Sequence, residues 1–105
     1  MPYEVLTYKP LACYEEGSLT VGAAAVGLPE SVFVGAKGGQ IEVLLSVEGD
    51  AIRLALSGAA AGSASMAYGI GDKIRLAGIG NCRNLSMIRV ENDATVRYQA
   101  FRKVI

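Results

Sequence analysis

The sequence predicts an all-β protein, a single-domain antiparallel β-sandwich that is jelly-roll-like. Three observations lead to this fold class. From residue 41 onward, apolar and polar residues alternate in short runs, a period typical of half-buried strands. Glycine-containing turns separate the runs at intervals of about ten residues, as in sandwiches and barrels. We find no long amphipathic helix. The runs span residues 41–47, 52–56, 73–76, 85–90 and 94–101.

Residues 1–16 predict an N-terminal strand or arm, and residues 17–105 predict the sandwich domain. The first part of the arm, residues 3–8, has strand propensity, and Pro10 ends the strand. Two interpretations stay open: an edge strand of the protein's own sheet, or an arm that reaches onto a neighbouring molecule.

The rest of the chain is divided by turn signals. Residues 18–26 predict a strand with a glycine kink, and residues 31–34 predict another short strand. Gly49 and Asp50 predict a turn that joins the runs on either side in a hairpin. Residues 57–65 are nearly all small, which predicts an exposed loop. Further turns are predicted at residues 69–72, 78–81 and 91–93.

Composition limits the classes of partner. The chain has 105 residues, ten basic and ten acidic, and a formal net charge of zero. It has no basic stripe, so we expect no nucleic acid partner. No stretch of about 18 consecutive apolar residues occurs, so we expect no membrane span. Hydrophobic residues make up 51% of the chain, which favours an apolar protein interface. The candidate interface residues are Tyr3, Val5, Tyr8, Tyr14, Tyr68 and Arg97.

Side chains that carry catalysis are sparse. Histidine is absent, which removes the usual base of nucleophilic catalysis and the commonest metal ligand. Cys13 and Cys82 are isolated, and we expect both to be free thiols in a reducing compartment. The acidic residues lie in predicted turns or alternate with core residues, which favours solvated carboxylates over an acid–base pair. We therefore expect no enzyme activity, no catalytic residues, no cofactor and no metal site.

Four arginines alternate with apolar residues on or beside the predicted strands. On one outer face they would grip an acidic partner surface through bidentate hydrogen bonds. The alternative, which we prefer, is cross-strand pairing with Glu42, Glu48 or Glu91. The arginines are Arg53, Arg75, Arg89 and Arg97.

The order of motifs from residue 40 to residue 102 also carries a resemblance. The motifs VEGDAIR, GDKIRL, LSMIRV and DATVRYQAFR begin at residues 47, 71, 85 and 93, and a small-residue loop follows the first of them. Residues 19–28 fit the same layout. This layout resembles a group of small structural proteins of tailed-bacteriophage virions. The shared pattern is one of folding and brings no catalytic residues with it.

The resemblance implies a structural protein of the virion, assembled in the host cytoplasm. Within that class we favour a capsid decoration or cement protein that binds the major capsid protein in many copies as a homo-oligomer, with a trimer favoured. For a protein that has no catalytic activity and acts by attachment, the binding energy comes from the interface that it buries. Two alternatives remain: a neck, tail or fibre component, and a small carbohydrate-binding module on the virion surface with Tyr14 or Tyr68 as the sugar platform.

Overall fold

The computed structural model describes residues 11–36 and 40–103, and in these ranges seven strands form two antiparallel sheets. Within the same ranges two short helices lie in the connections: α1 (Glu30–Gly35) and α2 (Ile79–Asn84). The prediction of an all-β sandwich is therefore confirmed. The strands are β1 (Leu11–Val21), β2 (Ile41–Glu48), β3 (Ile52–Ala55), β4 (Met66–Tyr68), β5 (Lys73–Ala77), β6 (Ser86–Arg89) and β7 (Ala94–Lys103).

The order of the strands is that of a jelly roll. One sheet has the order β1-β7-β2-β5, and the other has the order β4-β3-β6. Val26 forms an isolated antiparallel bridge to Met87 on the free edge of β6, with backbone hydrogen bonds of 2.9 and 2.7 Å. Val26 stands where the second strand of an eight-stranded jelly roll would lie. If Val26 is counted as a second strand beside β6, the number of every later strand rises by one. The four-stranded sheet then has the order 1-8-3-6 and the other sheet has the order 2-7-4-5, which is the jelly-roll order.

The core lies between the two sheets and follows the predicted alternation. Along β2 every second side chain is buried, and the side chains between them are partly exposed. The facing sheet, the other strands of this sheet and the two helices supply the rest of the core, which contains no buried polar or charged side chain among the described residues. Its largest fully buried members are Ile41, Leu45, Ile52, Met87, Val21, Val32, Val43, Val47, Val96 and Cys82.

The predicted hairpin between residues 41–47 and 52–56 is wrong, because β2 and β3 belong to different sheets. Gly49, with a φ of 82°, turns the chain from one sheet across to the other. Each run has one apolar face, and alternation alone does not tell whether that face is shared with the next strand or packs opposite it.

Three other local predictions also differ from the structure. Residues 31–34 lie within the helix α1, because Val32 is buried against the sheets and tertiary packing overrides the strand propensity of its β-branched neighbours. Residues 79–81, predicted as part of a turn, begin the helix α2, which buries Cys82. The predicted kinked strand over residues 18–26 ends at Val21, and after a short irregular stretch only Val26 pairs again.

The predicted arm lies partly outside the described residues, which begin at residue 11. Its last six residues, 11–16, belong to β1, which runs on to Val21 as an edge strand beside β7. The register of this pair shifts between Cys13 and Glu15, so the residue between them forms a β-bulge.

The small-residue loop, residues 57–65, is mostly exposed, but two hydrogen bonds attach it to the three-stranded sheet. Ala61 is buried, and its backbone N–H donates to the Ser86 hydroxyl at 2.9 Å. Arg53 donates to the Ser65 carbonyl oxygen at 2.9 Å. The loop therefore folds back over the outer face of the three-stranded sheet.

Candidate functional site

The outer face of the four-stranded sheet collects polar side chains from all four strands. Alternate residues of β1, β7, β2 and β5 point away from the core, and the strand register aligns them in rows across the sheet. One row consists of Ser18, Arg97, Ser46 and Lys73. The adjacent row consists of Glu16, Gln99, Leu44 and Arg75.

These rows border a depression of about 530 Å³, which we call the outer-face depression. The depression is lined by the side chains of Glu16, Ser18, Leu44, Ser46, Lys73, Arg97 and Gln99, with Gly17 and Tyr98 of β1 and β7 beneath them.

Hydrogen bonds hold several polar groups around the outer-face depression in place. Gln99 donates from Nε2 to Oε1 of Glu16 at 2.8 Å, and Lys73 donates from Nζ to the Ser46 hydroxyl at 3.3 Å. Arg97 donates from Nε to Oε1 of Glu48 at 2.9 Å. Among the described residues no carboxylate pairs with Lys73, so its ammonium is the cation of this face most available to a ligand.

Two of the four arginines form the cross-strand pairs with glutamate that the sequence predicts. Arg97 pairs with Glu48 at 2.9 Å, and Arg75 lies 3.9 Å from Glu42. Arg89 pairs with Asp93 at 2.6 Å instead of with Glu91. These arginines are well exposed, and exposed pairs stabilise a fold by only about 0–1 kcal/mol.

Tyr14, a predicted interface residue, is the bulged residue of β1 and points inward. Its hydroxyl donates to the Val32 carbonyl oxygen in α1 at 2.7 Å. The guanidinium of Arg102 lies over its ring, 5.1 Å from the centroid. Partial burial is the main cause that raises the pKa of Tyr14. Its hydroxyl and one ring face are thus used within the protein, which leaves it poorly placed as a sugar platform.

Of the remaining predicted interface residues, the two that the structure describes lie on different sheets. Tyr68 lies on β4, partly buried against the core, and its hydroxyl donates to Sδ of Met66 at 3.2 Å. Arg97 is exposed on the other sheet, beside the outer-face depression. Tyr3, Val5 and Tyr8 lie outside the described residues.

A polar cluster at Glu15 ties the edge strand to β7 and α1. Its Oε2 accepts a hydrogen bond from the Tyr98 hydroxyl at 2.9 Å and another from the Ser31 hydroxyl at 2.7 Å. Burial, together with the bond to Glu15, raises the pKa of Tyr98 to about 12. Gly17 leaves room for this ring, since an added Cβ would lie 2.7 Å from the Tyr98 hydroxyl oxygen. The cluster has a structural role, because its polar groups form hydrogen bonds with one another.

The two cysteines are free thiols in different surroundings. Cys13 is exposed on β1, and Cys82 is buried in α2. Burial raises the pKa of Cys82 to about 11, so the thiol stays protonated at neutral pH and is a poor nucleophile.

Carboxylates at the end of the sandwich accept hydrogen bonds from the backbone of the turns that contain them. Asp50 accepts from the backbone N–H of Ala51 at 2.7 Å and from Nδ2 of Asn92 at 3.0 Å, and these bonds lower the pKa of Asp50. Asp72 accepts from the N–H of Gly69 at 2.8 Å. Within the ranges 11–36 and 40–103 no three Cys, Asp or Glu residues are grouped as a metal would require. Neither described helix has the length and apolarity needed to cross a membrane.

Comparisons with known proteins identify no relative: no family model, no curated protein and no solved structure matches the chain.

The outer-face depression itself was not predicted. The residues that β2, β5 and β7 contribute, apart from Tyr98, occupy outward positions of the predicted alternating runs, whereas residues 16–18 belong to no such run. The missing information was the order of the strands. β1 and β7 lie far apart in the sequence, and only their pairing with each other and with β2 sets Ser18, Arg97 and Ser46 in one row.

Proposed function

We propose that this protein is a structural component of a tailed-bacteriophage particle, most specifically a capsid decoration or cement protein. The supporting observation is where the resembling motifs lie in the fold. VEGDAIR spans the crossing from β2 to β3, GDKIRL covers the end of the preceding turn and most of β5, LSMIRV contains β6, and DATVRYQAFR forms most of β7. The resemblance thus involves both sheets and the connection between them.

The surface of the sandwich suits a role in binding. Within residues 11–36 and 40–103 the exposed large apolar side chains lie apart in the sequence, at Val34, Leu56, Met66, Ile70 and Val90. The outer face of the four-stranded sheet is polar and carries both signs of charge. Such a surface fits a protein that is stable alone and docks on a preassembled shell, because surfaces that bind reversibly are only about as apolar as the rest of the protein.

In this proposal the partner is the major capsid protein, the protein acts as a homo-oligomer, with a trimer favoured, and the finished assembly is the virion. The interface would include the predicted arm with Tyr3, Val5 and Tyr8.

The test uses empty heads purified from the phage that encodes the chain. Purified protein is mixed with the heads, and bound protein is measured after sedimentation. We expect saturable binding at a copy number comparable with that of the capsid subunits. Deletion of residues 2–9 should weaken attachment more than it lowers the melting temperature. Saturation at a dozen copies or fewer would assign the protein to the neck or tail instead. No binding to heads, tails or fibres would refute the virion proposal.

A further inference from the structure

The outer-face depression combines three kinds of polar group at fixed positions. Lys73 and Arg97 supply positive charge and flank Ser46 in one row across the sheet. Because neighbouring strands are about 4.8 Å apart, the backbones of these two residues are separated by roughly 10 Å, which their long side chains can bridge. A small anion above the Ser46 hydroxyl is therefore within reach of both cations.

The adjacent groups are suited to hydroxyls. Glu16 and Gln99 form a carboxylate–amide pair at 2.8 Å, which offers both an acceptor and a donor to a ligand. The hydroxyl of Ser18 adds a group that both donates and accepts. Leu44 is partly exposed between them and provides the apolar contact of the lining.

The charges distinguish between two kinds of anionic partner. An acidic protein segment would bring several carboxylates to this face, where Glu16 and Glu48 would repel them. A ligand with one carboxylate and many hydroxyls reduces this conflict, because its hydroxyls can donate to Glu16 while its single carboxylate accepts from Lys73 and competes with Glu48 for Arg97. The mixed charge of the surface therefore favours the second kind.

We propose that the outer-face depression binds an acidic sugar, a saccharide unit that carries a carboxylate. Its carboxylate lies between Lys73 and Arg97, and its hydroxyls bond to Glu16, Gln99 and Ser18. This site goes beyond the proposed attachment to the capsid and does not depend on it, since the residues belong to the isolated domain.

The experiment is an NMR titration of the full-length, isotopically labelled protein with methyl glucuronide. We expect saturable shifts of the amide signals of residues 16–18, 44–46, 73 and 97–99. Methyl glucoside lacks the carboxylate and acetate lacks the hydroxyls, so each should bind at least tenfold more weakly. Both ligands are needed, because acetate alone tests only for an anion and glucoside alone tests only for hydroxyls.

Matched variants separate the site from general surface charge. Lys73→Gln removes an exposed cation of the depression and should weaken methyl glucuronide binding by about tenfold, the loss of roughly 1.4 kcal/mol. Arg75→Gln removes a cation of the same strand and the same face that is not among the lining residues, and should change the affinity less than twofold. The dispersion of the amide spectrum confirms that both variants are folded.

Three results would overturn the proposal. The first is the absence of saturable shifts with methyl glucuronide. The second is equal binding of acetate and methyl glucuronide, or equal weakening by the two variants, because either would mean attraction by charge alone. The third is tighter binding of a blocked Glu-Glu dipeptide, which would make the depression a docking point for an acidic protein segment. Failure of the protein to attach to heads would affect none of these outcomes.

Discussion

Leu44 and Leu45 are neighbours of the same residue type on β2, and the fold gives them opposite environments. Leu45 is 0% exposed in the core between the sheets, whereas Leu44 is on the outer face and partly exposed. Replacement of a fully buried leucine by alanine removes apolar contacts and leaves a cavity, at a cost of about 2–5 kcal/mol. We expect Leu45→Ala to lower the free energy of unfolding by about 3 kcal/mol, and Leu44→Ala to lower it by less than about 1 kcal/mol.

The expected loss is large for a domain of this size. With an unfolding entropy of about 2.1 cal/mol/K per residue, 3 kcal/mol corresponds to a fall in melting temperature of roughly 10–15 °C. The assay is urea and thermal unfolding followed by circular dichroism, and the dependence on urea concentration should be the same in both variants. Equal losses, or a larger loss at Leu44, would refute the register of β2, because a shift of one residue exchanges the two faces.

Three further predictions concern the cysteines, the loop and alkaline pH. In the folded protein Cys13 should react readily with a thiol reagent, whereas Cys82 should react only after unfolding. Titration of the unfolded chain under non-reducing conditions should find two thiols. Fast labelling of both cysteines in the native state would contradict the burial of Cys82. Ala61→Asp should destabilise the fold because Ala61 is buried, while Ala59→Asp on the exposed part of the same loop should not, and similar melting temperatures would contradict the anchoring of the loop. The folded-state pKa of Cys82 is raised to about 11 and that of Tyr98 to about 12. The unfolded chain therefore loses these protons first, and stability measured by urea unfolding should be level up to about pH 9 and fall above it; a stability that rises with pH there would contradict the raised values.

The alternation of residues was sufficient to predict β2, β3, β5, β6 and β7, because each places side chains of one face in the core, whereas β4 has no buried residue and was not predicted. The same alternation identified Ile41, Val43, Leu45 and Val47 as core residues. Alternation is a local property, however, and the pairing of strands is not. The hairpin prediction failed for this reason, since β2 takes its partners from β5 and β7, far along the chain.

The helix α1 shows the second limit of local reasoning. Its residues include Val32, Phe33 and Val34, which favour strands, and a helix of six residues gains little stability from its own hydrogen bonds. It forms because Val32 fills the core and because Tyr14 bonds to its backbone from the bulge of β1. The sequence contains no signal that brings Tyr14 and Val32 together. The outer-face depression depends on the same long-range pairing.

The proposed role in the particle is tested most directly by counting copies. Quantitative mass spectrometry of purified virions gives the ratio of this protein to the major capsid protein. A decoration protein should be present in hundreds of copies, in a fixed ratio to the capsid subunits, and should stay with emptied heads. A count of a dozen or fewer, or absence from the particles, would contradict the account.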